Sequence, residues 1–129
     1  MEKVSIIVPV YNAAEYVGKC LESVALQDYK NIEIIVVEDG SDDESPDVCK
    51  EYARRYDNIK VYHDKCGTAG AARNYGMSKA DGDYVMFVDA DDYLTDNCVV
   101  SELTKKMENL IVLTPAWSSM KEPQKGSRQ

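Results

Sequence analysis

The chain has 129 residues, enough for one domain with a real core and too few for two. Fifteen Lys and Arg against 23 Asp and Glu leave a formal charge of −8. This argues against nucleic acid, where phosphate neutralisation dominates affinity, and against an anionic membrane surface. No apolar run approaches the ~18 residues of a transmembrane helix. The start, Met1 to Ser5, lacks the basic region and cleavage site of a signal peptide.

Val4–Val10 is a nearly continuous β-branched run and reads as a first strand. Val17, Cys20, Leu21, Val24 and Ala25 recur at steps of three and four, a helix. Ile32–Val37 is a second strand. Ser45-Pro46 reads as N-cap and N1 of a helix carrying Val48, Cys49, Tyr52, Ala53 and Tyr56. Ile59–Tyr62 is a third strand, and Ala69–Lys79 an alanine-rich helix despite Gly70 and Gly76. Tyr84–Val88 is a fourth strand. Thr95-Asp96-Asn97 is placed as the cap of a last helix with Val99, Val100, Leu103 and Met107. Leu110–Thr114 is a candidate fifth strand. The domain is therefore set at 1–114, with 115–129 as an irregular tail.

Strands apolar on both faces imply cover on both sides, as in a parallel sheet. The βαβαβαβα alternation predicts an α/β fold: an open, mainly parallel, Rossmann-like sheet with helices on both faces. Cys20, Cys49, Cys66 and Cys98 contain no C-x-x-C pair and, with the single His63, make a poor zinc set. They are expected to be reduced, mostly buried thiols, and His63 receives no role.

Chemistry gathers after the strands. Strand 1 ends in Pro9-Val10-Tyr11-Asn12, strand 2 in Glu38-Asp39-Gly40-Ser41, and strand 4 in Asp89-Ala90-Asp91-Asp92. Ligands of open α/β sheets sit outside the carboxyl ends of strands, at the switch point of the winding. A strand order 3-2-1-4 brings these three ends to one crevice. Glu38–Asp47 and Asp81–Asp96 hold six acids each and no base. Such a field repels a bare polyphosphate and suits one bridged by a hard divalent cation. Asp89 and Asp91 can face one ion or one ribose, although Asp91-Asp92 also fits a plain turn. Arg73, in Gly67-Thr-Ala-Gly-Ala-Ala-Arg-Asn74, suits a phosphate or an ion pair on a helix surface. Tyr11 offers a face for a nucleobase and Asp39 an acceptor for a base N–H.

Four blocks in register carry a resemblance. Val4-Ser-Ile-Ile-Val-Pro-Val-Tyr-Asn12, Val36-Val-Glu-Asp-Gly-Ser41, Ala72-Arg-Asn-Tyr-Gly76 and Gly82–Asp92 resemble family 2 glycosyltransferases, over roughly residues 3–109. The resemblance implies a GT-A fold. It also implies transfer of a sugar from a nucleotide-diphosphate donor, with a UDP-sugar as the expected one, to a hydroxyl acceptor with inversion. Carried over by position, Pro9 and Tyr11 line the nucleoside pocket and Asp39 recognises the base. Arg73 approaches the base or diphosphate, and Asp89 holds the ribose side. Asp91 is the residue on which catalysis turns, binding Mn²⁺ or Mg²⁺, with Asp92 as an alternative or supporting ligand.

The acceptor implied is a glycan or lipid-linked glycan of polysaccharide biosynthesis. The location implied is cytoplasmic, compatible with the inner membrane face; oligomeric state is left open. Glu38 stands where the family often has Asp. No general base is recognised after Asp96 among Glu102, Glu108 and Glu122, and residues 115–129 do not resemble the family's continuation. The chain is therefore expected to be truncated, holding the donor half of the site. The competing readings are a receiver-like or other non-enzymatic module and a nucleotidyltransferase. The first lacks its acidic pair after strand 1, and the second its glycine-rich basic loop.

Overall fold

A computed structural model of the chain describes residues 2–109. Strands β1 (Val4–Val10), β2 (Ile32–Glu38), β3 (Ile59–His63) and β4 (Tyr84–Phe87) alternate with helices α1 (Val17–Ala25), α2 (Ser45–Arg55), α3 (Ala69–Lys79) and α4 (Val99–Asn109). The strands form one parallel sheet in the order β3-β2-β1-β4, as expected. The candidate strand at 110–114 and the tail at 115–129 lie outside the described residues.

Successive side chains of a strand point to opposite faces, and here both faces are apolar. Ile6, Val8 and Val10 of β1 and Ile34 and Val36 of β2 pack with Val17, Cys20, Leu21 and Val24 of α1, Cys49 of α2 and Val100 of α4. Ile7, Ile35 and Val37 point the other way and meet Ala72 and Ala80 at α3. This two-sided burial is why β1 and β2 show no polar alternation. The small residues of α3 let it lie close to the sheet: a Cβ at Gly76 would stand 2.5 Å from Ile7 Cγ2.

One buried polar pair interrupts the apolar strands. Ser5 and Glu33 are register partners at the lower end of β1 and β2. Ser5 donates to Glu33 (2.5 Å), and the N–H groups of Gly82 (2.8 Å) and Asp81 (2.6 Å) donate to Ser5 Oγ and Glu33 Oε2. Lys3 Nζ lies 3.5 Å from Glu33 Oε1. Buried polar groups need such partners, and these fix the turn that leads into β4.

Three local expectations are corrected. Strand β2 runs on to Glu38 and β3 to His63, because these two residues pair with each other; β4 stops at Phe87. Helix α2 begins at Ser45, with Glu44 as its N-cap and Pro46 inside the first turn. The Ser45 hydroxyl is drawn elsewhere, accepting from the Ala13 N–H at 2.8 Å. Helix α4 begins at Val99, so Thr95-Asp96-Asn97 does not cap it. The carbonyls of Asp96 and Asn97 accept instead from the Gln27 side chain and the Asp28 N–H.

Candidate functional site

The carboxyl ends of β1, β2 and β4 open into one cavity of about 650 Å³. Pro9, Tyr11, Asp39, Arg73, Asp89 and Asp91 all line it. Six of the seven residues selected from the sequence thus share one space; the seventh, Asp92, sits beside it in the carboxylate cluster. Tyr11 keeps 57% of its surface exposed, so its ring is not core packing.

The loops that carry these groups are bonded to one another. Asn12, in a left-handed conformation (φ 49°), donates its N–H to Ser41 Oγ (2.9 Å). Its side-chain oxygen accepts from the Asp42 N–H (2.8 Å). Asp43 accepts from the N–H groups of Ala14 (3.2 Å) and Ser45 (2.9 Å). Hydrogen bonding from Ser45 holds the Asp43 carboxyl below the usual carboxylate range. Local side-chain bonds of this kind replace secondary structure in a loop, and they orient Tyr11.

Asp39 is buried at 7% exposure. Its Oδ1 accepts from the N–H groups of Cys66 (2.5 Å) and Gly67 (3.1 Å), tying the β2 end to the β3–α3 loop. Gly67 has φ 96°, a conformation that L side chains rarely adopt. Among the described residues Asp39 Oδ2 accepts no hydrogen bond, which leaves an acceptor at the cavity. Glu38, also buried, accepts from the N–H groups of Gly40 (3.2 Å) and Ser41 (2.8 Å). His63 Nδ1 lies 3.6 Å from Glu38 Oε1.

Past Phe87 the chain leaves the sheet, and the Asp92 N–H closes a turn on Asp89 O (2.9 Å). Oxygens of Asp89, Asp91 and Asp92 then lie within 4.8 Å of one another. Three exposed hard-oxygen donors at this spacing match the donor chemistry of Mg²⁺ or Mn²⁺. Arg73 Nη2 stands 3.3 Å from Asp89 Oδ1. It is therefore an ion-pair partner, as one reading of the sequence has it, and also a cavity residue. The field reaches behind the loop: burial first, then Asp92, Asp89 and Asp91, push the Cys20 thiol up to about 12. Cys20 and Cys49 are fully buried, while Cys66 and Cys98 are only partly so.

Lys65, Thr68 and Tyr16 also line the cavity and were not selected. Lys65 stands in the β3–α3 loop, two residues before Gly67, and reaches the cavity because that loop returns to Asp39. Thr68 caps α3, accepting from the Ala71 N–H (3.0 Å), so this helix directs its N-terminus at the cavity.

The sequence model of the family described as Glycosyl transferase family 2 matches residues 5–125. The chain belongs to this family. The match runs beyond residue 109, where the resemblance was read to end, and into the segment read as departing from the family. Glycosyltransferase GlyA of Streptococcus pneumoniae is 43% identical over 107 residues, covering 83% of this chain and 15% of GlyA. The poly(ribitol-phosphate) beta-glucosyltransferase of Bacillus spizizenii is 36% identical, covering 83% and 18%. Among solved structures, S. aureus TarS 1–349 in complex with UDP-GlcNAc has a TM-score of 0.76 at 32% identity, over 83% of this chain and 31% of that one. The mannosyltransferase PcManGT from Pyrobaculum calidifontis, with GDP-Man and Mn²⁺, has a TM-score of 0.70 at 26% identity, over 74% and 29%. The fold is thus the GT-A fold. The chain spans 15–33% of the length of GlyA and GlyG. Family membership displaces the receiver-like and nucleotidyltransferase readings. Among the described residues no helix is long and apolar enough to cross a membrane.

Proposed function

We propose that this chain holds the donor site of a cation-dependent glycosyltransferase that takes a UDP-sugar. The observation that carries the reading is the convergence of Tyr11, Asp39, Arg73, Asp89 and Asp91 on one cavity. Tyr11 and Pro9 pack on the base, and Asp39 Oδ2 accepts its N–H. Asp89, Asp91 and Asp92 hold Mn²⁺ or Mg²⁺, with Asp89 toward the ribose. When bound, the cation neutralises the diphosphate and stabilises charge developing on the leaving nucleotide. Arg73, Lys65 and the N-terminus of α3 supply further positive potential to the phosphates.

The reaction is transfer to a hydroxyl of a glycan or lipid-linked glycan with inversion. Inversion requires a base for the acceptor hydroxyl. The cavity carboxylates among the described residues are committed to base, ribose and cation, so that role falls to none of them. The test is thermal stabilisation of the 129-residue chain by UDP, with and without Mn²⁺. Ligand that binds only the folded state raises stability with its concentration over Kd. Stabilisation that needs Mn²⁺ and disappears in Asp91→Ala is expected. No stabilisation by UDP in either condition overturns the reading.

A further inference from the structure

The segment after the carboxylate cluster, residues 93–98, has no regular structure of its own. Its backbone is nevertheless held at Leu94, Asp96 and Asn97 by α1 and the residues that follow it. The Leu94 N–H donates to Ser23 Oγ (3.0 Å), while that hydroxyl donates to Cys20 O (2.7 Å). Gln27 Nε2 donates to Asp96 O (2.7 Å) and Ser23 O (3.1 Å), and Gln27 Oε1 accepts from the Val100 N–H (3.0 Å). The Asp28 N–H donates to Asn97 O (2.7 Å). At the other end Cys20 Sγ meets Asp89 O (3.5 Å). Cys20 and Ser23 lie three apart on one face of α1, and Gln27 follows just past its C-cap, Leu26.

Gln27 is 8% exposed, and its amide is satisfied at both ends by the segment and the helix. A buried amide so placed locks two backbones together, because losing either partner strands a polar group. Three carboxylates within 4.8 Å repel one another, and their own turn has only the Asp92–Asp89 bond. Outside the turn the Arg73 ion pair holds Asp89 (3.3 Å), and the chain that follows Asp92 is held through Leu94, Asp96 and Asn97. Pre-organisation of this kind is what separates a tight cation site from a loose one.

We propose that Ser23 and Gln27 are positioning residues for the cation site: their side chains fix the 94–100 backbone and so set the convergence of Asp89, Asp91 and Asp92. The proposal rests on the cation reading above. It assigns a role at the site to α1 and the turn that ends it, although neither residue lines the cavity.

The test titrates Mn²⁺ alone into the 129-residue chain, with free ion followed by electron paramagnetic resonance. Wild type, Ser23→Ala, Ser23→Thr and Gln27→Ala are compared, and the circular dichroism spectrum of each metal-free chain is recorded alongside. Gln27→Ala and Ser23→Ala are expected to weaken Mn²⁺ by roughly tenfold and threefold, amounts in keeping with outer-shell changes at metal sites. Ser23→Thr keeps the hydroxyl and stays within about twofold of wild type. The metal-free spectrum is unchanged in the folded variants; a general structural loss would alter it and would not be rescued by Ser23→Thr. Ser23→Ala deletes one bond to the segment, with the hydroxyl's own bond to Cys20 O, so it serves if Gln27→Ala does not fold. Wild type that binds Mn²⁺, with folded variants of equal affinity, overturns this proposal alone. Wild type that binds no Mn²⁺ overturns the cation reading and this proposal with it.

Discussion

Gly76→Ala sets two effects of known size against each other. Alanine in place of glycine inside a helix gains about 1 kcal/mol of propensity. The new methyl, however, would stand 2.5 Å from Ile7 Cγ2 and 3.4 Å from both Ile7 Cγ1 and Val37 Cγ2. Normal carbon contacts lie at about 3.5–4.0 Å, so roughly 1 Å must be found. Ile7 and Val37 are fully buried, on the two inner strands, and stiff at χ1. Neither can turn away, and α3 must lift from the sheet. Overpacking of this kind costs about 1–3 kcal/mol, and the severity here selects the upper part. The clash wins by about 1–2 kcal/mol.

Urea unfolding of Gly76→Ala, Ile7→Ala and the double variant measures this. Ile7→Ala alone should lose about 2–5 kcal/mol by cavity formation. The double variant should lose at least ~1 kcal/mol less than the sum, because the alanine methyl then fills space that Ile7 vacated. Lifting α3 also draws Arg73, three residues earlier on the helix, from its 3.3 Å contact with Asp89. Gly76→Ala as stable as wild type, or strict additivity in the double variant, would refute the packing argument.

Two further outcomes follow from the same bonds. In Asp39→Asn the side-chain oxygen must stay on the Cys66 and Gly67 N–H groups, which turns the NH₂ into the cavity where Oδ2 was. UDP affinity in the presence of Mn²⁺ should fall at least about tenfold by calorimetry, ~1.4 kcal/mol, with the fold kept; unchanged affinity would show that Asp39 only braces the loop. Burial, the largest cause for each, lifts the Cys20 and Cys49 thiols from 9.0 to about 12. Above pH 9 the unfolded chain releases thiol protons that the folded chain keeps. Stability present below pH 9 is therefore lost as pH rises toward 12. The urea midpoint should fall over that window, less steeply in Cys49→Ala, and an equal slope in the variant would contradict the assignment.

The sheet was legible because its signal is redundant. β1 and β2 are apolar at every position that decides a face, so strand identity, two-sided cover and parallel pairing all follow from one run each. The polar strand ends were legible for the same reason, since Tyr11, Asp39 and Asp89 break those runs abruptly. What stayed hidden depends on pairs distant in sequence. Ser45 is a good N-cap by type, yet its hydroxyl is taken by Ala13, 32 residues away. Thr95-Asp96-Asn97 reads as a cap, yet Gln27 and Asp28 claim its carbonyls across the fold. Lys65 carries no local mark that separates it from other surface lysines; only the return of the β3–α3 loop to Asp39 brings it to the cavity.

The charge at the cavity ranks the contributions to donor binding. Asp39, Asp89 and Asp91 line it against Lys65 and Arg73, and Arg73 is already engaged by Asp89. Asp92 adds a fourth carboxylate beside it. A diphosphate entering this field meets repulsion of about 4 kcal/mol per unit pair at 4 Å in a surface-like dielectric. Arg73 cannot reverse that, because turning to the phosphates uncovers Asp89. Asp89, Asp91 and Asp92 would hold a divalent ion, which would supply positive charge to the phosphates. On the proposed reading the acidity of the site and its affinity for a nucleoside diphosphate would have one origin, with the cation as the larger contribution and Arg73 as the smaller.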